Sequence, residues 1–205
     1  MKLRRSNIRR LAAAVAALAC FMAGWPPDRT ESQVTDLVTQ GRQALDADKV
    51  DEAIAIFEKA VTVDPKEPAA LAWLGSAQVR KARTASFFDC PGWVKKGFNT
   101  LDEAVELFPS AFVVYMVRGI TATQVPDLFR KAPVAVKDLN AVVSMREKNL
   151  AAVPDAVMPS VYLHLGHAYK KSGLTAEARA AWEKGKKLYP SAPETQAIEE
   201  ELRSL

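Results

Sequence analysis

The chain alternates amphipathic stretches with short breaks marked by proline or glycine. Within the stretches, apolar residues return every three or four positions, which predicts helices. In "VYLHLGHAYKKSGLTAEARAAWEKGKKLYP", Tyr162, Leu165 and Tyr169 share one face of a predicted helix, and Ala178 and Trp182 share one face of the next. "DEAIAIFEKAVTVDP" does the same with Ala53, Phe57 and Ala60. No stretch carries a credible strand pattern. Four segments close alike, with VDP at Pro65, LFP at Pro109, AVP at Pro154 and LYP at Pro190, and these prolines lie 44, 45 and 36 residues apart. Each spacing is a period of about 34 residues plus an insertion, and such a period marks stacked helix pairs.

The registers make the type of repeat specific. Counting from Pro159, Tyr162 falls at position 4, Leu165 and Gly166 at 7 and 8, Tyr169 at 11, Ala178 at 20, Trp182 at 24 and Pro190 at 32; Gly185 stands at 27. The segment closely resembles a tetratricopeptide repeat, and so does the first one, through Leu37, Gly41, Ala44, Ala53, Phe57, Ala60 and Pro65. Small residues at 8, 20 and 27 let two antiparallel helices approach, large ones at 4, 7, 11 and 24 fill the space between pairs, and proline at 32 ends the second helix. One pair cannot bury its apolar face alone, so neighbours stack. The resemblance implies an all-α fold, an α-solenoid of about four helix pairs. It divides residues 34–205 into repeats near 34–67, 68–109, 110–156 and 159–192, with a polar capping helix at 193–205.

Two repeats depart from the pattern. The second begins well with Leu71, Leu74 and Gly75 and closes well with Leu101, Ala104 and Pro109, but holds extra residues between, including "ASFFDCPGW" at 85–93. That stretch reads as an enlarged turn between helices A and B. In the third, Gly119 sits at position 8, and "TQVPDLFRKAP" enlarges the same turn with Pro126 and Pro133. Its helix B shows an apolar stripe through Val136, Leu139, Val143, Leu150 and Val153 but no small residues at 20 and 27. Both turns carry apolar side chains that surface loops usually avoid: Phe87, Phe88 and Trp93 in one, Leu128 and Phe129 in the other. Either they pack on one another and seal the edge of the solenoid, or part of the cluster stays exposed as a contact patch for a partner.

The first residues change the charge picture. The formal net charge is +4, yet Lys2, Arg4, Arg5, Arg9 and Arg10 fall within the first ten residues with no acid among them; setting those five aside leaves 23 basic against 24 acidic residues. Nucleic-acid binding, which needs a basic footprint on the folded part, therefore loses its main compositional support and is not expected. A basic stretch followed by the apolar run "LAAAVAALACFMAG" predicts an export leader at 1–24, followed by a linker at 25–33. The run is shorter than a membrane-spanning helix needs. Three outcomes stand open: cleavage after the small residues Ala17 and Ala19, lipidation at Cys20, or retention as an anchor through the N-terminus. All three place the protein in the periplasm or on the outer leaflet of the envelope membrane.

Candidate chemistry is sparse. Cys90 has no CxxC partner and no histidine near it in sequence, so a redox or nucleophilic role lacks an activating base; with an unlipidated Cys20 it becomes a disulfide candidate. His164 and His167 stand three apart on a helix but lack a third ligand and a general base. No phosphate loop or nucleophile elbow is present. An enzyme, a metal site and a cofactor are not expected. The resemblance implies binding instead, in a concave groove lined by positions 2, 5, 9, 12 and 13 of each helix A. Those positions include Val38, Arg42, Leu45, Ser76, Arg80, His167, Lys170 and Lys171. Val38 and Arg42 stand where chaperone-binding members carry a lysine and asparagine clamp. The function implied is an exported adaptor or scaffold that binds a protein or peptide in the cell envelope. The alternatives are an accessory of a transporter or solute-binding system, and a metal-handling or redox protein built on Cys90, His164 and His167.

Overall fold

The computed structural model describes residues 29–205. The leader at 1–24 and its Cys20 lie outside the described residues. Helix α1 (Arg29–Asp46) begins inside the stretch expected to be linker, with Glu31 in its first turn and the Thr35 hydroxyl donating to the Glu31 carbonyl at 2.9 Å. It pairs with α2 (Val50–Val63) as repeat one. Repeat two is α3 (Pro68–Lys81) with α4 (Cys90–Leu107), repeat three is α5 (Phe112–Gln124) with α6 (Ala132–Lys148), and repeat four is α7 (Met158–Lys171) with α8 (Thr175–Leu188). A final helix, α9 (Glu194–Arg203), covers the end. Among the described residues there is no strand, and no helix is long and apolar enough to cross a membrane.

Proline opens α3, α4, α6 and α7, where its missing N–H removes no helical hydrogen bond. This corrects the reading of "ASFFDCPGW" as turn throughout. Only Ala85–Asp89 lie in the turn, while Cys90–Trp93 form the first coil of α4, seeded by Pro91 and by the Cys90 amide donating to the Ser86 carbonyl at 2.9 Å.

Within each pair, the glycine at position 8 meets the large residue at 24: Gly41 and Phe57, Gly75 and Leu101, Gly119 and Leu139, Gly166 and Trp182. In repeats one and four these partners are 16 residues apart, against 26 in repeat two and 20 in repeat three. The ten extra residues of repeat two therefore fall between helices A and B, whereas only four of those in repeat three do and the others follow α6, around the 3-10 turns Leu150–Ala152 and Asp155–Val157. Repeat two is the tightest pair, because a Cβ on Gly97 would lie 2.6 Å from the Gly75 carbonyl oxygen, a backbone atom that no rotamer change can move aside.

The same ruler corrects the third repeat. With Leu139 at 24, position 20 is Ala135, which is small and fully buried; only position 27, Val142, is large. Leu150 leaves the apolar stripe, because α6 stops at Lys148 and Leu150 turns outward in the following 3-10 turn, 68% exposed. Val153 returns to the core.

One contiguous core runs through repeats two to four, from Leu71 to Ala181, with smaller clusters under repeat one and under α9. A charged fork crosses it. Arg118 on α5 donates Nε–H to Asp138 Oδ2 at 2.7 Å and Nη2–H to Oδ1 at 2.9 Å, while Nη1 reaches Asp102 on α4 at 2.8 Å. Asp138, on α6, is 0% exposed. Burial works against the arginine charge, but the hydrogen bonds and charge of Asp138, then those of Asp102, hold its pKa above the ordinary value. The fork ties the second repeat to both helices of the third.

Candidate binding site

The helices A of successive repeats, α1, α3, α5 and α7, pack side by side and carry the positions expected to line the groove. Burial divides those positions. Val38 is half-buried, and Arg42 is exposed with its guanidinium 5.1 Å from the Trp73 ring centroid. Leu45 and Ser76 are corrected out of the groove surface: Leu45 packs beneath the turn into α2, and Ser76 accepts a hydrogen bond from Thr121 of the next repeat at 2.9 Å. A small hydroxyl at that position lets α3 and α5 approach until the pair is sealed from water.

The cationic end of the groove is largely neutralised from within. His167 Nε2 lies 3.1 Å from Glu201 of α9, and Lys170 donates to the same carboxylate at 2.8 Å. Burial opposes ionisation of Glu201, but those two partners outweigh it and hold its pKa below the usual value. Lys171 donates to the Val125 carbonyl at 2.8 Å and pairs with Asp127 at 3.2 Å, pinning the enlarged turn of repeat three against α7.

The two histidines face different partners. Their rings stand edge to face, 5.6 Å between centroids. Thr123 donates its only proton to the Ile120 carbonyl at 2.7 Å, so at 2.9 Å its oxygen accepts from His164 Nδ1–H, and Nε2 is the site left to protonate. Among the described residues, no group of three or more histidine, cysteine and acidic side chains is placed to hold a metal ion.

Burial, then the neighbouring His167, pushes the pKa of His164 down to about 4. The unfolded chain takes up this proton near its ordinary value of about 6.5. Between these values the unfolded state binds more protons, so stability is full above about 6.5 and falls as the pH is lowered toward about 4. Denaturation at pH 7 and pH 5 should differ by on the order of 2 kcal/mol from this group, and His164→Gln should remove most of that difference.

At the edge of the solenoid, the enlarged turns of repeats two and three border one cavity of about 300 Å³. Its wall includes Val79, Val94, Val125 and Phe129, with Arg80, Arg83, Gln124 and Cys90 among them. Cys90 is half-buried and has no disulfide partner among the described residues.

The apolar turn residues fall into two groups. Phe129 packs against the main core, and Trp93 is half-buried against the repeat-one core under the Lys96 ammonium, 5.1 Å from its ring centroid. Phe87, Phe88 and Leu128 are 88%, 90% and 75% exposed, and the two phenylalanine rings meet only each other, edge to face at 5.8 Å. Sealing therefore accounts for Trp93 and Phe129 but not for the other three.

Arg83, Gln124 and the cavity were not legible as a site, although one signal existed. Both insertions follow a helix A, so both turns must emerge on the same edge of the stack.

Known proteins share this fold. The model of the tetratricopeptide repeat matches residues 42–67 and 159–191, in repeats one and four. No curated protein matches the chain. Among solved structures, the crystal structure of a thermophilic TPR protein in Thermus thermophilus is similar over 98% of each chain, with a TM-score of 0.67 and 18% identity. That likeness is one of fold. The helix pairs, the glycine register and these matches together make the chain a tetratricopeptide-repeat α-solenoid.

Proposed function

We propose that this protein is an exported adaptor of the bacterial cell envelope, holding a protein or peptide partner against the turn edge of its second and third repeats. Tetratricopeptide repeats serve as protein–protein interaction scaffolds. The observation that carries the site is the exposure of Phe87, Phe88 and Leu128 in the two enlarged turns, at 88%, 90% and 75%. Three large apolar side chains held out in water by a rigid scaffold are costly unless another surface covers them. Aromatic anchors are also where interfaces concentrate their affinity. The export reading rests on the basic and apolar order of the first 24 residues.

Two measurements test the proposal. Phe87→Ser with Phe88→Ser should leave the melting temperature unchanged, since neither ring touches the core, and should weaken partner capture from envelope extracts by about tenfold or more. Trp93→Ser should instead lower stability, by about 1.5 kcal/mol for a half-buried ring. Capture that survives the double phenylalanine variant would remove the patch from the interface. Mass spectrometry of the native protein should find a mature chain beginning at or soon after Cys20, and an intact Met1 would defeat both cleavage and lipidation, leaving only retention as an anchor.

A further inference from the structure

We infer that the cavity between the two enlarged turns is a binding site for a small apolar monocarboxylate, a short acyl or aryl chain ending in one carboxylate. The inference does not depend on the protein-partner reading. Three observations carry it.

The first is size and lining. At about 300 Å³ the cavity is at the lower limit of small-molecule sites, and Val79, Ala82, Val94, Val125, Pro126 and Phe129 supply most of its wall. It suits a chain of roughly eight carbons and has no room for a lipid with two long tails.

The second is charge. Arg80 and Arg83 belong to the lining, and no acidic residue does. Among the described residues, neither arginine has a carboxylate within salt-bridge distance. Arg42 also lacks an acidic partner among the described residues, but its guanidinium lies over the Trp73 ring. Arg118, Arg146, Lys170 and Lys171 are all bound by acids of the protein itself. Two guanidinium groups without an internal counter-ion, beside an apolar cavity, complement a carboxylate, which they can hold with paired hydrogen bonds. A hydrophilic anion such as phosphate would leave the apolar wall uncovered, and a neutral alkane would leave the arginines unsatisfied.

The third is placement. Arg80 and Gln124 hold position 13 of repeats two and three, so the mouth of the cavity opens where the groove runs out into the turns. Phe129, half-buried, and Val94, buried, both form part of the wall.

Cys90 lines the cavity and serves as a reporter within it. In the full chain, octanoate should slow iodoacetamide labelling of Cys90 saturably, read by mass spectrometry on the peptide that carries it, and calorimetry should give the same affinity. Octanamide and acetate should each bind at least about tenfold more weakly, the first lacking the charge and the second the chain. Arg80→Gln with Arg83→Gln should abolish the preference for octanoate over octanamide while leaving the melting temperature unchanged. Equal protection by octanamide, protection by inorganic phosphate, or no protection by octanoate would each overturn the proposal. Tight binding of an apolar peptide with a blocked C-terminus, in place of octanoate, would also overturn it and assign the cavity to the protein partner.

Discussion

Asp138→Ala should destabilise the protein by about 3–5 kcal/mol, because it leaves the Arg118 guanidinium in the core without its main counter-ion. That is a large share of the roughly 5–15 kcal/mol that holds a domain of this kind folded. Asp138 is 0% exposed and takes two of the three hydrogen bonds made by Arg118. Asp102 receives only one and is about half exposed, so Asp102→Ala should cost about 1 kcal/mol or less. The double change Arg118→Met with Asp138→Leu removes both buried charges and should recover most of the loss. Chemical denaturation of the four proteins checks the set. If Asp138→Ala were as mild as Asp102→Ala, the buried pair would not be what holds α5 against α6.

Trp182→Ala should cost a comparable amount, about 3–5 kcal/mol, but the damage should be local. The indole is fully buried, donates Nε1–H to the Leu163 carbonyl at 2.9 Å, and packs with Ala178 and with Ile198 of α9. Its removal deprives both helices of repeat four and the cap of their shared side chain. In a stacked array each repeat leans on its neighbours, so the end unit opens first. Hydrogen exchange should therefore speed up across 158–203 and stay near wild type in repeats one and two. Uniform acceleration along the whole chain would mean that the stack behaves as one cooperative unit instead. Gly166→Ala offers the converse lesion, since the added Cβ would collide with the indole nitrogen of Trp182. The tryptophan would have to leave its place without any loss of apolar surface.

Much of this architecture was legible in the chain. The glycines at 41, 75, 119 and 166, the bulky residues opposite them and the prolines that end each unit are local signals repeated at a readable period, and together they determined helix pairs in a stack. Insertions blurred that register. In the third repeat Ala135 could not be recognised as position 20 until Leu139 was seen packed on Gly119, because a turn four residues longer than standard shifts every later position. Helical periodicity likewise carried Leu150 onto the apolar stripe, whereas α6 ends two residues before it.

The candidate site divides along the same line. Its residue types were visible, since phenylalanines in a turn and cations at groove positions are properties of the sequence alone. Which of them face water was decided by tertiary packing. Leu45 and Ser76 occupy groove positions by count but are buried by their neighbours, while Lys170 and Lys171 are tied to Glu201 and Asp127, far from them along the chain. Arg80 and Arg83 are left without such partners, and Phe87 and Phe88 without a surface to pack on. Periodicity reports which face of a helix a residue occupies. Whether that face is covered depends on what a distant segment brings against it, and no local pattern encodes that.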